Sequence, residues 1–295
     1  MKTDLNSSIK FPRAREFYFP VEELSEETSA MLEAQFFRMI RLPNGTYKTT
    51  AAHRLREVDS SLCQCLKDMP KDLNVLDVAI SSGVTSLELL DTLTQQGFKP
   101  RLTASDLSIH AVLSRLAGGL EVLCDSNGHI LQLARPPLVK GRPHDPFTSL
   151  FRAALQGSIV FLETLIRIGI LHCRDSKEIT LVSPRLLNRP EITIVQYDLN
   201  DDKPEWHAQF DVVRAANILN DSYFSPPILR RMFTHLSSYV RPNGFLVLSR
   251  TMDDDNSTHG TIFTPMGDGK LSVVCRIGEG SELEYLINEP LESHL

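Results

Sequence analysis

The chain has 295 residues, 42% of them hydrophobic, enough to bury a full core as one large domain or two. A net charge of −6 and a pI near 5.9 give no global electrostatic case for a nucleic-acid partner. Five cysteines, at 63, 65, 124, 173 and 275, lack the paired C-x-x-C spacing of a structural zinc site, and residues 1–17 contain no apolar run that directs export. Together these imply reduced thiols in a cytoplasmic protein.

Residues 1–20 read as a loose, Pro-punctuated leader. In 21–41 the apolar positions Met31, Leu32, Phe36, Phe37 and Ile40 recur at helical spacing, and Pro43-Asn44-Gly45 breaks the helix they predict. A second helix starts near Tyr47 with Thr49 or Thr50 as N-cap and runs to about Leu66. Leu73 to Ile80 is a short β-branched run, the composition of a strand buried on both faces, and it stops at Ser81-Ser82-Gly83. From Val84 the spacing is helical again (Val84, Leu87, Leu90, Leu93), with Gly97 and Pro100 ending the helix. Strand, small-residue turn and helix form the first half of a nucleotide-binding crossover, in which free N–H groups at the helix start face the ligand. No G-x-G-x-x-G fits this turn, which argues against a dinucleotide, and a purely structural turn is the plain alternative.

Arg101 to Ser108 reads as a second strand ending in Asp106. A carboxylate there accepts hydrogen bonds from ribose hydroxyls in nucleotide-binding α/β folds, and it also suits a helix N-cap; the two roles are compatible. The next strand of this kind, Glu191 to Leu199, arrives so late that most of 118–189 is an insertion. Within it, Gly119–Asp125 and His129–Leu133 alternate about Asn127-Gly128, a β-hairpin signal, and a Pro-rich basic stretch with Arg135, Lys140 and Arg142 follows. Phe147 to Leu171 is an apolar helix whose strongly polar residues Arg152, Gln156, Glu163 and Arg167 fall within about 60° of arc at 3.6 residues per turn. It reads as a buried helix with one wet edge, a lid or dimer surface, or a helix lying in a membrane interface. Phe210 to Asn220 gives a fourth strand and Ile228 to Val240 a helix. Val240-Arg241-Pro242-Asn243-Gly244 forms a tight turn into a fifth strand, with Gly260–Phe263, Lys270–Ile277 and Glu284–Ile287 as closing strands.

Three stretches carry a resemblance: Asp77 followed by Ala79, Ser81 and Gly83; Phe210-Asp211-Val212-Val213 leading to Ala216-Asn217-Ile218-Leu219; and the Val-Arg-Pro-Asn-Gly turn. The loop after Asp77 resembles motif I of the class I S-adenosylmethionine-dependent methyltransferases, an acid before a G-x-G-x-G loop of which only the last glycine is kept. The Phe210–Leu219 stretch is most similar to the strand-four region of chemotaxis-receptor methyltransferases, and the turn is similar to the family's L-(K/R)-P-G-G. The resemblance covers about 73–117 and 191–250. It implies a Rossmann-like α/β fold, a doubly wound mixed sheet of about seven strands with an N-terminal helical cap and a large insertion between strands 2 and 3. The organisation it gives is 1–72 leader and cap, 73–117 first half of the core, 118–189 inserted hairpin and apolar helix serving as substrate cap, and 190–295 second half of the core.

By the same resemblance, Asp77, Ala79, Ile80, Ser81, Ser82 and Gly83 pass under the methionine and ribose of S-adenosylmethionine, provided Ala79 and Ser81 keep negative φ. Asp106, with Leu107, holds the ribose, and Asp198 with Leu199 meets the adenine. Ala216 and Asn217 sit beside the methyl group, and Arg54 reaches the methionine carboxylate. The bland readings are a surface arginine for Arg54 and a loop acid for Asp198. Asn217, Asn220 and Tyr223 are placed to meet a substrate, and are equally expected as caps of the next helix. No Asn-Pro-Pro-Tyr or Asp-Pro-Pro-Tyr follows strand four, against methylation of nucleic-acid bases, and Asp253-Asp254-Asp255 reads as a solvated loop rather than a metal site. The expected function is methyl transfer, with S-adenosylhomocysteine as product, to a small-molecule or lipid-like acceptor under the insertion, with peripheral membrane contact through 135–171. The alternative is a non-catalytic relative that keeps the fold as a binding or interaction module.

Overall fold

The computed structural model describes residues 12–43, 45–48, 51–135, 138–141, 150–168, 173–221, 223–252, 256–266 and 270–288. Its chain order opens with α1 (Ala14–Tyr18) and α2 (Glu26–Phe37), the latter started by Ser25, whose hydroxyl accepts the Thr28 N–H. The expected leader therefore contains a helical turn, and the reason is aromatic: Phe17 stacks on Phe36 with centroids 4.4 Å apart and meets Phe37 edge-on at 5.6 Å. The second helix of the expected cap, α3 (Arg56–Cys65), begins later than its spacing suggests and has no side-chain cap; Thr49 and Thr50 lie outside the described residues. Next come β1 (Asp72–Val78), α4 (Val84–Gln95) and β2 (Lys99–Asp106), then β3 (His110–Arg115), β4 (Glu121–Asp125), β5 (Ile130–Arg135), β6 (Leu138–Gly141) and α5 (Leu150–Arg167). The chain continues through β7 (Arg174–Thr180), α6 (Pro184–Leu187), β8 (Ile192–Gln196), β9 (Phe210–Ala216), α7 (Pro226–Tyr239), β10 (Val240–Thr251), β11 (Thr258–Pro265) and β12 (Leu271–Ile277).

These elements divide into two compact units, 1–50 with 108–184 and 51–107 with 185–295. The division differs from the expected one in two ways. The insertion starts right after β2, and the N-terminal helices α1 and α2 belong with it rather than with the large sheet.

The unit formed by 51–107 and 185–295 is the Rossmann-like core. Its seven strands run in the order β12-β11-β10-β9-β1-β2-β8, parallel from β8 to β10 and antiparallel at β11 and β12. From β1 the chain adds β2 and β8 on one side, then returns to the other side with β9 and β10, so the strand order reverses between β1 and β9. Leu76, Val213 and Leu246 are buried with Leu229, Met232, Phe233 and Leu236 of α7, and each such side chain contributes roughly 1.5–3 kcal/mol by leaving water. Asn243 takes φ +66, as the tight turn before the fifth strand requires. The expected last strand is instead a 3-10 turn at Glu284–Asn288, where Arg276 grips Glu284 at 2.8 Å.

In the other unit, five strands in the order β6-β5-β4-β3-β7 form an antiparallel sheet. The Asn-Gly hairpin is β4 and β5, with Gly128 at φ +77 and the Asn127 N–H donated to Asp125 Oδ1 at 2.9 Å. Residues after Asp106 that suit a helix form β3 instead, because Ala111 and Leu113 alternate toward the face covered by Phe17, Phe36, Phe37 and Ile40. The opposite face, Val122 and Ile130, packs on Ile159 of α5.

Under the reading of α5 as a buried helix with one wet edge, Arg167 is exposed as expected but Glu163 is not. Glu163 is buried and its carboxylate accepts the Ile130 N–H at 2.7 Å, beside an irregularity in the β4–β5 register, whereas Val160, Phe161 and Ile168 are exposed. An amide left over by a shifted ladder demands an acceptor, and Glu163 provides it. The Arg152 side chain and Arg142 lie outside the described residues. Among the described residues no helix is long and apolar enough to cross a membrane.

Candidate functional site

In open α/β sheets ligands bind beyond the C-terminal ends of the strands, where the strand order reverses. Here that position is flanked by the turn after β1, residues 79–83, and by Ala216-Asn217 after β9. The turn is held by the end of β2: the Ile80 N–H donates to the Ser105 carbonyl at 3.1 Å, and the Ser81 N–H to Asp106 Oδ2 at 2.7 Å. Asp106 therefore spends part of its carboxylate on the loop, and beside it Leu107 is exposed.

The condition set on Ala79 and Ser81 fails. Both are left-handed, at φ +55 and +58, and Asn217 across the reversal is left-handed at +60. Outside glycine this region costs roughly 1–2 kcal/mol per residue, so the turn keeps the conformation of a glycine loop without the glycines. Gly83, at φ +83, cannot be exchanged as they were: a Cβ there falls 2.5 Å from Leu186 Cδ2 of α6. Ala79→Gly and Ser81→Gly should each raise stability by about 1 kcal/mol, and Ala79→Val should lower it, read from urea denaturation midpoints. A valine variant as stable as the parent contradicts the left-handed assignment.

Asp77, expected to serve the cofactor, belongs to the core instead. It lies opposite Arg214 of β9, whose guanidinium donates from Nε to Asp77 Oδ1 at 2.9 Å and from Nη2 to Oδ2 at 2.6 Å. The same guanidinium bonds Asp59 Oδ1 of α3 at 2.8 Å and the Thr85 carbonyl at 2.9 Å, while the Ser86 hydroxyl donates to Asp77 at 2.6 Å. Burial alone lowers an arginine's pKa, but Asp77 and Asp59 overcome that and raise it for Arg214; burial pushes the Asp59 carboxyl up to about 6 against the opposing pull of Arg214. A residue as costly to bury as arginine is the one signal in the apolar run Phe210–Ala216 that a carboxylate must face it from the next strand.

Arg54 lies close enough to this cluster to feel Arg214, Asp77 and Glu88, and burial, then Arg214, lower its pKa. Its Nε is buried without a partner. Ser82 Oγ in the turn, Ser105 Oγ at the end of β2, Asn217 Nδ2 after β9 and Ser249 Oγ near the end of β10 are likewise buried and unpartnered. Sequence reasoning misses Ser105 and Ser249, because a serine near a strand end carries no signal. Asn217 is fixed by donating its N–H to the Ser249 carbonyl at 2.8 Å and accepting the Thr251 N–H on Oδ1 at 2.6 Å, which leaves the amide nitrogen unused.

Of the remaining expected residues, Asp198 and Leu199 follow the end of β8, which lies beside the end of β2 with the Tyr197 N–H donated to the Asp106 carbonyl at 3.1 Å. Leu199 is buried in the core beneath α7, and Asp198 Oδ1 accepts both the N–H and the side-chain amide of Asn200 at 2.9 Å, the local turn of the bland reading. Asn220 is buried, while Tyr223 is exposed with its ring against Phe224. Asp253, Asp254 and Asp255 lie outside the described residues.

No family model matches the chain, and no curated protein matches it. Among solved structures, it is similar to the CMeT domain of the citrinin polyketide synthase, at 14% identity and TM-score 0.35, over 68% of this chain and 35% of that one. An O-methyltransferase family protein from Burkholderia thailandensis matches at 13% and 0.32, over 68% and 39%; the glycopeptide N-methyltransferase MtfA complexed with sinefungin matches at 14% and 0.32, over 77% and 66%. The matched part spans little more than a third of the first two chains.

Proposed function

We propose that the larger sheet binds S-adenosylmethionine where its strand order reverses, for methyl transfer to a small-molecule or amphiphilic acceptor. The observation that supports this reading is the coincidence of unsatisfied polar groups and backbone strain at one place. Ser82 Oγ, Ser105 Oγ, Asn217 Nδ2 and Arg54 Nε are buried without partners, and Ala79, Ser81 and Asn217 are left-handed. Each unsatisfied group costs about 1–3 kcal/mol and each strained residue a similar amount, and such costs concentrate where a ligand relieves them.

The donor set suits this cofactor. A guanidinium matches a carboxylate in fork geometry, so Arg54 takes the methionine end. The start of α4 has no side-chain cap and no acid in its first turn, leaving its N–H groups to a polar ligand. Asp106, already ordering the turn through Ser81, accepts from the ribose. The cofactor supplies an electrophilic methyl on a sulfonium sulfur, and such a transfer asks the protein mainly for alignment. Asn217, locked by two backbone hydrogen bonds, positions its amide beside that methyl group.

Calorimetric titration with S-adenosylhomocysteine tests the reading. The chain should bind it, and Arg54→Leu should weaken binding by about 10- to 100-fold, the range for loss of one charged hydrogen bond. A folded protein that gives no heat with either form of the cofactor is the non-catalytic module instead.

A further inference from the structure

Beyond the ends of β9 and β10, and alongside β11, lies a cavity of about 350 Å³. Its apolar side is Leu219, Leu248 and Met252, and its polar side includes Ser249, His259 and Glu279. Ser249 lines this space but is only 8% exposed, and its hydroxyl oxygen is buried in the wall without a partner.

His259 sets the wall. The Glu279 N–H donates to its Nδ1 at 2.9 Å, so the ring proton sits on Nε2, which reaches Ser257 Oγ at 3.1 Å. Gly278 lies at φ +56, and a Cβ there would stand 2.2 Å from that Nδ1, so the turn is fitted directly onto the ring. The bond from the Glu279 N–H fixes the turn against the ring and holds Glu279 at the rim.

The charge at the rim is negative. Arg250 and Glu282 satisfy each other with contacts of 3.0 and 2.8 Å, leaving Glu279 as a carboxylate with no ion-pair partner among the described residues. An anion is repelled there, and a neutral guest leaves Glu279 uncompensated.

We propose that this cavity binds a small organic amine in its protonated form. The ammonium meets Glu279, and the apolar body lies on Leu219, Leu248 and Met252. Naming the amine as methyl acceptor rests on the methyl-transfer reading above; its binding does not.

The test uses the full chain and three probes of one shape, phenethylamine, 2-phenylethanol and phenylacetate, titrated by ligand-observed NMR alongside S-adenosylhomocysteine. Phenethylamine should bind about fivefold or more tightly than the alcohol, with phenylacetate weakest, and added salt should narrow the gap. Glu279→Gln, on an exposed side chain, should erase the preference and leave S-adenosylhomocysteine affinity unchanged. Ser249→Leu, checked for folding by circular dichroism, should fill the cavity and remove phenethylamine binding. Equal binding of the three probes, no saturable binding of phenethylamine, or a preference that survives Glu279→Gln overturns the amine site. If S-adenosylhomocysteine fails to bind while amine selectivity holds, the methyl-transfer reading falls and the amine site stands.

Discussion

Arg214→Met should cost the protein about 3–5 kcal/mol, the usual penalty for breaking a buried ion pair from one side. The methionine fills much of the same space, but Asp77 and Asp59 are left facing it across β1 and α3, each 2% exposed and without their cation. Total stability of a domain is only some 5–15 kcal/mol, so the variant stands near the folding threshold. The penalty lies in the abandoned charges rather than in lost attraction, because two desolvated carboxylates repel and water cannot reach them. Adding Asp59→Asn and Asp77→Asn should therefore recover most of the loss, since the amides remain hydrogen-bonding groups without net charge, and Ser86 keeps an acceptor. Urea denaturation of the single and triple variants decides it. A single variant within about 1 kcal/mol of the parent, or a triple variant no better than the single, would show that Arg214 is not what holds α3, β1 and β9 together.

How legible the fold was in the sequence follows from how local each signal is. The β1-turn-α4 unit, the Asn-Gly hairpin and the turn at Asn243 were readable because each depends on a few adjacent residues, through hydrophobic period or positive φ. The strand at His110–Arg115 was not, since an acid followed by Leu-Ser-Ile-His suits a helix start as well as an edge of a sheet. Only pairing with β4 and β7, from far along the chain, decides it. Glu163 shows the same limit: a polar stripe says which residues share a helix face, not whether that face meets water or an unpaired sheet amide.

The candidate site was half legible for a related reason. Its position follows from the crossover pattern, which puts residues 79–83 in the turn after β1, where the structure has them. What escaped was which polar side chains the fold had already used. Asp77 was spent on Arg214 and Asp198 on Asn200, whereas Ser105, an ordinary serine in sequence, ends with nothing to bond. Partners distant in sequence determine which groups are spare, and spare groups are what a ligand reads.

Phe36→Ala should destabilise the smaller unit by about 3–5 kcal/mol, the range for truncating a buried aromatic, and leave the larger sheet's ligand binding within about threefold. Phe36 is fully buried, stacked on Phe17 at 4.4 Å and edge-on to Phe37 and Tyr18 at 5.2 and 5.5 Å. This cluster is the apolar part of the contact between α1, α2 and the five-stranded sheet, beside the Arg15–Glu121 pair at 2.7 Å and the Ala14 N–H donated to Gln132 Oε1 at 2.8 Å. The sheet cannot bury the faces of Ala111, Leu113, Leu123 and Leu131 without those helices, although β3 to β7 enter the chain some 70 residues later. Excising 118–189 alone would therefore strand β3 and the N-terminal aromatics and would also remove Leu186, which packs on Gly83. The point substitution asks the same question without that damage. Hydrogen exchange should show protection lost at amides in β3, β4, β5 and β7 and kept in β1, β2, β9 and β10, while titration with S-adenosylhomocysteine proceeds. If both sheets lose protection together, the two units fold as one cooperative body and the insertion is not a separately folding part of the chain.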